Sequence, residues 1–220
     1  SILNTDQTKS SSNGPDIKKF YDNMNKVLQK LEEQEVKLDK LNAIEIFGRE
    51  GNWHTIPYYN KVNSLEVWEI NKEYKKGLQK NLPNAKIKIL DSIKNILEYK
   101  VIKKFDLIVI DNPLNVFGKN NSYSEHFDFI DRIENIATDN PIIIFNVCRN
   151  PFNLHKNTLW KKRREEFYKL KDTSCLQIKF LLKFYKEMFE MRGKWDVIFN
   201  FVIIRHEYLD YFVFKLKKII

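Results

Sequence analysis

Short strand-like runs alternate with helix-compatible segments over most of the chain, and this order constrains the fold more than any other feature. The runs are rich in β-branched residues, which suits strands. They cover residues 43–47, 64–70, 85–90, 105–110 and 141–147, with helices predicted over 72–82 and 124–137. Such alternation predicts a parallel sheet covered by helices on both faces. The apolar sequence LIVI in the fourth run fits a central strand.

The last third of the chain follows a different order. Helices are predicted over 159–170 and 173–192, and strands over 197–205 and 211–216 are close enough in sequence to form a hairpin. A plain dinucleotide-binding sheet would continue with another parallel unit. The sequence therefore predicts an α/β fold whose sheet is mostly parallel and is closed by a β-hairpin.

The N-terminal region is predicted to contain a tail and a helix. Residues 1–15 are polar, so we expect a disordered tail, and residues 16–41 suit a helix capped by Asp16. The apolar residues of this helix are three and four positions apart, namely Ile17, Phe20, Met24, Val27, Leu31, Leu38 and Leu41. This spacing fits a helix packed on the main domain, residues 42–220. It also fits a coiled coil that joins two or more chains, with Gln34 setting the register.

Composition sets broad limits on the protein. A chain of 220 residues, 43% of them hydrophobic, can form one domain with a substantial core. The net charge of +9 is weak evidence for a polyanionic partner, because the lysines are spread along the chain. Two cysteines without metal-like spacing favour a reducing cytoplasm. No apolar run reaches the roughly eighteen residues of a membrane span, and a start at Ser1 suggests a processed chain or a piece of a longer one.

Acidic residues end most of the predicted strands. They are Glu45, Glu69, Asp91 and Asp111, and Asn146 ends the fifth strand. Ligands of open parallel sheets bind outside these strand ends, and clustered carboxylates suit a ligand with hydroxyl and amino groups better than one rich in phosphates. Glu69 is placed to accept hydrogen bonds from a ribose diol, although a solvated strand-end acid is the simpler interpretation.

The loop after the first strand contains two glycines in a Gly-x-x-Gly arrangement. Gly48 and Gly51 would allow close approach of a ligand to the backbone. The spacing does not match the dinucleotide motif GxGxxG, and no GK[ST] sequence follows for a nucleoside triphosphate. The loop alone does not identify the class of ligand.

The ordered set EIFGREG, VWEIN, ILDSI and FDLIVIDNP, followed by a helix and a closing hairpin, resembles the class I S-adenosylmethionine-dependent methyltransferases, which have a Rossmann-like sheet. The resemblance covers residues 43–216. It implies S-adenosylmethionine as cofactor and methyl transfer as the reaction. It also implies that Glu45 and the loop from Gly48 to Gly51 flank the methionine part of the cofactor. Arg49 stands where glycine is common in the family and would contact the methionine carboxylate.

The same resemblance assigns the adenosine part of the cofactor to the next strand ends. It implies that Glu69 holds the ribose hydroxyls and that Ile70 lies against adenine. Asp91 and Ser92 would meet the edge of adenine, and Asp111 would begin the wall between cofactor and substrate.

The acceptor side contains several candidate residues. Asp111 and His126 are the candidate general bases, and His54 is a more remote one. Asn112 and Tyr123 are the candidate substrate contacts. Asn112 belongs to an Asp-Asn-Pro-Leu sequence, a partial echo of the Asn-Pro-Pro-aromatic motif of amino-group methyltransferases that does not establish amine methylation. His126 could equally lie on the exposed first turn of a helix.

The segment 149–164 combines aromatic side chains with basic ones, including Arg163 and Arg164. It is interpreted either as a lid that recognises an anionic substrate or as an ordinary amphipathic helix with a solvated basic face. Asn146 and Asn150 are poor metal ligands, so no metal is expected.

The favoured prediction is a methyltransferase acting on a small or glycan-linked anionic acceptor, such as a sugar or phosphosugar. The alternatives are an RNA methyltransferase, a catalytically inactive methyltransferase-like interaction module of a larger assembly, and a dehydrogenase-type nucleotide binder.

Overall fold

A computed structural model describes residues 16–98, 103–192, 194–206 and 208–219. The tail predicted over 1–15 lies outside these residues. In the described part of the chain, no helix has the length and apolar character needed to cross a membrane.

The strands form one seven-stranded sheet and one small hairpin. They are β1 Asn42–Glu45, β2 Ser64–Glu69, β3 Lys86–Ile89, β4 Phe105–Ile110, β5 Val116–Phe117, β6 Tyr123–Ser124, β7 Ala137–Cys148, β8 Trp195–Ile204 and β9 Leu209–Lys218. The large sheet has the order β3-β2-β1-β4-β7-β9-β8. The first five of these strands pair in parallel, whereas β9 is antiparallel to both β7 and β8. The predicted mostly parallel sheet with a closing hairpin is confirmed.

Within the described residues, six α-helices cover the sheet. They are α1 Ile17–Glu33, α2 Ile56–Tyr59, α3 Lys75–Asn81, α4 Ser92–Leu97, α5 Thr158–Tyr168 and α6 Ile178–Met191. Side chains of α1 and α3 pack with those of β1, β2 and β4 in one buried cluster. Side chains of α4 and α6 pack in a second cluster on the opposite face. The side chains of β4 alternate between the two clusters, as expected of a central strand buried on both faces.

The N-terminal helix is shorter than the sequence predicts. It ends at Glu33, Glu35 has a left-handed backbone (φ 64°), and only a short 3-10 turn, Leu38–Lys40, follows. Its apolar side is buried against its own domain, through Phe20, Met24, Val27, Leu28 and Leu31. The structure therefore favours the packed helix over the coiled coil, because pairing chains through this seam would require α1 to leave the core.

The prediction of a helix over 124–137 is wrong. This stretch starts as strand β6, turns at Glu125 (φ 47°), and continues into a 3-10 helix, Ile130–Asn135. A regular helix cannot contain the left-handed backbone of Glu125. That backbone places the Glu125 carboxylate in the interior, where it accepts hydrogen bonds from Trp160 Nε1 and Arg164 Nη1, each at 2.9 Å.

Candidate functional site

A cavity of about 710 Å³ lies at the carboxyl ends of β1, β2, β3 and β4. One wall consists of residues that end these strands. A second wall, here called the hairpin wall, is formed by Pro113, residues 116–119 and residues 121–123, which include the β5–β6 hairpin. This is the edge at which open parallel sheets bind their ligands.

Glu69 lies at one end of the cavity, and its carboxylate is fixed by backbone groups. Oε1 accepts a hydrogen bond from the N–H of Arg49 and Oε2 accepts one from the N–H of Asn71, each at 2.7 Å. Each carboxylate oxygen retains a second acceptor position. Ile70, beside it, is 66% exposed and also lines the cavity. A fixed acceptor beside an exposed apolar side chain suits a ligand with adjacent hydroxyl and flat apolar groups.

Asp91 and Ser92 line the same part of the cavity at the start of α4. Asp91 Oδ1 caps this helix by accepting a hydrogen bond from the N–H of Lys94 at 3.1 Å. The Ser92 hydroxyl donates to the carbonyl oxygen of Ile46 at 2.7 Å. Both residues thus line the cavity, and the Ser92 proton is already used to hold α4 against the end of β1.

Arg49 also lines the cavity. Its backbone is left-handed (φ 53°), and its guanidinium lies 3.5 Å from the centre of the Trp53 ring. Burial lowers the pKa of the Arg49 guanidinium. The nearby carboxylates of Asp111 and Glu69 act in the opposite direction, but the net pKa remains below its ordinary value. The residue stays charged, so it supplies a positive group in a cavity whose other charged walls are mainly acidic.

Glu45 does not reach the cavity, contrary to the prediction. Its carboxylate is fully buried and accepts hydrogen bonds from the hydroxyls of Thr55, at 2.7 Å, and Tyr58. His54 Nε2 lies 2.5 Å from the same carboxylate. Glu45 therefore holds the segment after the first loop against the sheet.

The two loop glycines serve packing and also lie outside the cavity wall. A Cβ atom on Gly48 would lie 2.1 Å from Val67 Cγ1. Gly51 has a φ of +70°, and a Cβ atom there would lie 2.5 Å from Leu82 Cδ1. The loop thus needs glycine in order to lie close against β2 and α3, rather than to admit a ligand.

Asp111 lines the cavity and is part of a buried charged group. Arg205 Nη1 lies 3.2 Å from Oδ1, and His54 Nδ1 lies 3.4 Å from Oδ2. Burial raises the pKa of the Asp111 carboxyl, but His54, Arg205 and Arg49 outweigh this effect and the net pKa is below its ordinary value. Burial lowers the pKa of His54, but Glu45 and Asp111 reverse the direction, so the net pKa is raised. Asp111 is therefore a stable carboxylate and a weak base.

Asn112, the predicted substrate contact, lines the cavity but is itself fully buried. Its backbone N–H donates to Asn146 Oδ1 at 2.8 Å, and Asn146 Nδ2 donates back to its carbonyl oxygen at 3.0 Å. This reciprocal pair fixes the turn after β4.

His126 is not placed as a general base, contrary to the prediction. It is fully buried and does not line the cavity. Its Nδ1 lies 2.9 Å from Asn112 Oδ1, and its Nε2 lies 2.5 Å from the hydroxyl of Tyr185. Burial lowers the pKa of His126 to about 3, helped by the positive charge of Arg164. The neutral ring uses Nδ1 to support Asn112 from behind and Nε2 to contact Tyr185.

The predicted basic lid is also wrong in detail. Arg164 is fully buried, with Glu125 at 2.9 Å and the carbonyl oxygen of Thr173 at 3.0 Å from its guanidinium nitrogens. Arg163 is half-buried and its guanidinium lies 3.5 Å from the hydroxyl of Ser124. Neither arginine lines the cavity, whereas the predicted Tyr123 does.

The sequence did not identify several residues of the hairpin wall. They are Val116, Phe117, Gly118, Lys119, Asn121 and Ser122. The polar composition of this loop was a signal for a binding role. It did not show that the loop folds over the strand ends. Among the described residues, no three His, Cys, Asp or Glu side chains are grouped as metal ligands.

Comparison with known proteins gives the fold. No family model matches the chain, and no curated protein matches it in sequence. Among solved structures it is similar to yhhF of Escherichia coli, a candidate methyltransferase (11% identity, TM-score 0.52, covering 89% of this chain and 84% of that one). It is also similar to PH1948 of Pyrococcus horikoshii, a candidate RNA methyltransferase (13%, 0.51, 90% and 82%).

A third similar structure is magnesium protoporphyrin IX methyltransferase (ChlM) of Synechocystis, solved with bound SAH. It is 14% identical, with a TM-score of 0.52, and the match covers 90% of this chain and 83% of that one. The chain therefore has the Rossmann-like fold of methyltransferases, as its sequence predicted.

Proposed function

We propose that this chain is an S-adenosylmethionine-dependent methyltransferase. The observation that carries the proposal is the position of Glu69. Its carboxylate is held by two backbone N–H groups at the end of β2, with the exposed Ile70 next to it in the chain and Asp91 in the wall of the same cavity. The SAH in the structure of one protein of the same fold supports the choice of ligand.

Each group has a role in this proposal. Glu69 accepts hydrogen bonds from the two ribose hydroxyls, Ile70 covers the adenine, and Asp91 accepts from the adenine edge. The cofactor supplies a methyl group on a sulfonium, which is a reactive leaving group, so the protein has mainly to orient the acceptor.

The acceptor side is formed by Asp111, Asn112 and the hairpin wall. Asp111 is too weak a base to be favoured as a proton acceptor, because its pKa is lowered by His54, Arg205 and Arg49 against the effect of burial. We assign it an orienting role instead. Asn112 is fixed from behind by His126, which acts as a positioning residue.

We propose a small anionic acceptor, of the sugar or phosphosugar type. Support comes from the hairpin wall, where Lys119 supplies a positive charge beside the polar side chains of Asn121, Ser122 and Tyr123. RNA is the second candidate. It is favoured by the net charge of +9 and by the similarity to a candidate RNA methyltransferase.

A methyl-transfer screen should separate these acceptors. With methyl-labelled S-adenosylmethionine, we expect label on sugars or phosphosugars and none on bulk RNA. Label on RNA alone would replace the proposed acceptor by the second candidate. Absence of label on every acceptor, with normal cofactor binding, would favour an interaction module.

The cofactor assignment predicts a loss of affinity on changing Glu69 to glutamine. The Glu69→Gln side chain can no longer offer two charged acceptors, so binding of S-adenosylhomocysteine should weaken by about 1.5–3 kcal/mol, or roughly 10- to 150-fold. Isothermal titration calorimetry measures this change directly.

Glu66→Gln is a matched control for this prediction. Glu66 is buried on the same strand and lies outside the cavity, where it accepts a hydrogen bond from Trp68 Nε1 at 2.7 Å. Its variant should bind S-adenosylhomocysteine like the wild type. Equal affinities of the Glu69 variant and the wild type would show that the ribose is held elsewhere.

A further inference from the structure

A stack of four side chains connects helix α1 to the cavity. The guanidinium of Arg49 lies 3.5 Å from the ring centre of Trp53, and Trp53 stacks on Phe20 of α1 with ring centres 5.1 Å apart and an interplanar angle of 18°. The guanidinium of Arg205 lies 5.0 Å from the ring centre of Phe20. The stack thus has one cation at each end and two aromatic rings between them.

One end of the stack lines the cavity, and the other end contacts a residue that lines it. Arg49 lines the cavity directly. At the other end, Arg205 contacts Asp111 at 3.2 Å, and Asp111 also lines the cavity. Phe20 itself is 6% exposed and is not part of the cavity wall. One buried ring on the N-terminal helix therefore lies between Arg49, which lines the cavity, and Arg205, which pairs with Asp111 in the cavity wall.

We propose that Phe20 is a positioning residue for the cofactor site, and that Arg49 binds the carboxylate of the methionine part of the cofactor. This inference rests on the proposed function. A guanidinium held against an aromatic ring has lost part of its freedom before binding, so it can pair with a carboxylate at a lower entropic cost. Phe20 fixes the ring on which Arg49 lies.

The charges in the cavity suit this role. Asp111, Glu69 and Glu50 lie near Arg49 and stabilise its positive charge. An incoming carboxylate would be repelled by these acids unless a cation faced it. Arg49 is the cation on the side of the first loop, which is where the methionine part is implied to lie.

Two ligands, one with and one without the amino-acid carboxylate, can test the inference. S-adenosylhomocysteine carries it, whereas 5′-methylthioadenosine has the same adenosine and sulfur but lacks the amino-acid part. We expect the wild type to prefer the first by about tenfold or more. Arg49→Gln should remove most of this preference, and Phe20→Leu should lower it by about threefold, with smaller changes in affinity for 5′-methylthioadenosine.

Val27→Ala is the matched control, since Val27 is fully buried on the same helix. It should lower the melting temperature about as much as Phe20→Leu while leaving the ligand preference unchanged. Melting curves also show that each variant is folded.

The outcomes distinguish this inference from the proposed function. Failure of the wild type to bind either ligand would overturn the proposed function. An unchanged preference in Arg49→Gln would overturn the carboxylate contact alone. A preference lost in Arg49→Gln but kept in both helix variants would overturn the role of Phe20.

Discussion

Replacing Arg164 with leucine is expected to lower the free energy of unfolding by about 3–5 kcal/mol, the usual cost of leaving one member of a buried ion pair alone. Arg164 and Glu125 are both fully buried, and their side chains pair at 2.9 Å. The variant would leave the buried Glu125 carboxylate without its arginine partner, while its hydrogen bond from the indole N–H of Trp160 remains. Urea denaturation of the wild type and the variant measures the difference.

Two further variants test the cause of this loss. Arg163→Leu changes the neighbouring arginine, which is half-buried, and should cost much less. The double change of Glu125 and Arg164 to leucine removes both charges and should recover a large part of the stability. A loss in Arg164→Leu no larger than in Arg163→Leu would contradict the buried pair.

The stability of the protein should fall in acid because of His126. Burial and the nearby Arg164 lower the pKa of His126 in the folded state to about 3, whereas the unfolded chain has an ordinary value of about 6.5. Below that ordinary value the unfolded state binds a proton that the folded state does not. The His126 contribution is therefore present above about pH 6.5 and is lost toward pH 3, by about 1.4 kcal/mol per pH unit.

The His126→Asn variant isolates this contribution. An asparagine amide can still donate to Asn112 but does not titrate in this range. Its stability should depend less steeply on pH between 6 and 4 than that of the wild type, as followed by urea denaturation at each pH. Parallel pH profiles would mean that the imidazole is not buried as a neutral ring.

The sheet could be predicted because its strands carry a strong local signal. The apolar sequence of β4 is buried on both faces, and short β-branched runs have few alternatives to a parallel sheet between helices. The closing hairpin followed from two apolar runs with a short connection. Such features depend on neighbouring residues, so a single sequence contains them.

The wrong predictions share a different cause, which is contact between distant residues. The predicted helix over 124–137 is replaced by a turn whose Glu125 pairs with Arg164, 39 positions away. That pairing also removes Arg164 from the predicted substrate lid. The local sequence of either segment does not show that Glu125 and Arg164 pair with each other.

Placement at the cavity could be predicted for side chains that follow directly from a strand end. Glu69, Ile70 and Asp91 are at the cavity for this reason. Glu45 also ends a strand, but β1 is buried on both faces, and its pattern does not tell which face a polar side chain enters. The donors that hold Glu45 come from the segment after the loop, whose path the sequence did not give.

The most direct test of the methyltransferase assignment is calorimetric titration of the wild-type protein with S-adenosylhomocysteine, with NAD⁺ as the comparison. We predict binding of one S-adenosylhomocysteine per chain and no binding of NAD⁺, because the carboxylates of the cavity disfavour a pyrophosphate. Binding of NAD⁺ in place of S-adenosylhomocysteine, or of neither ligand, would contradict the assignment.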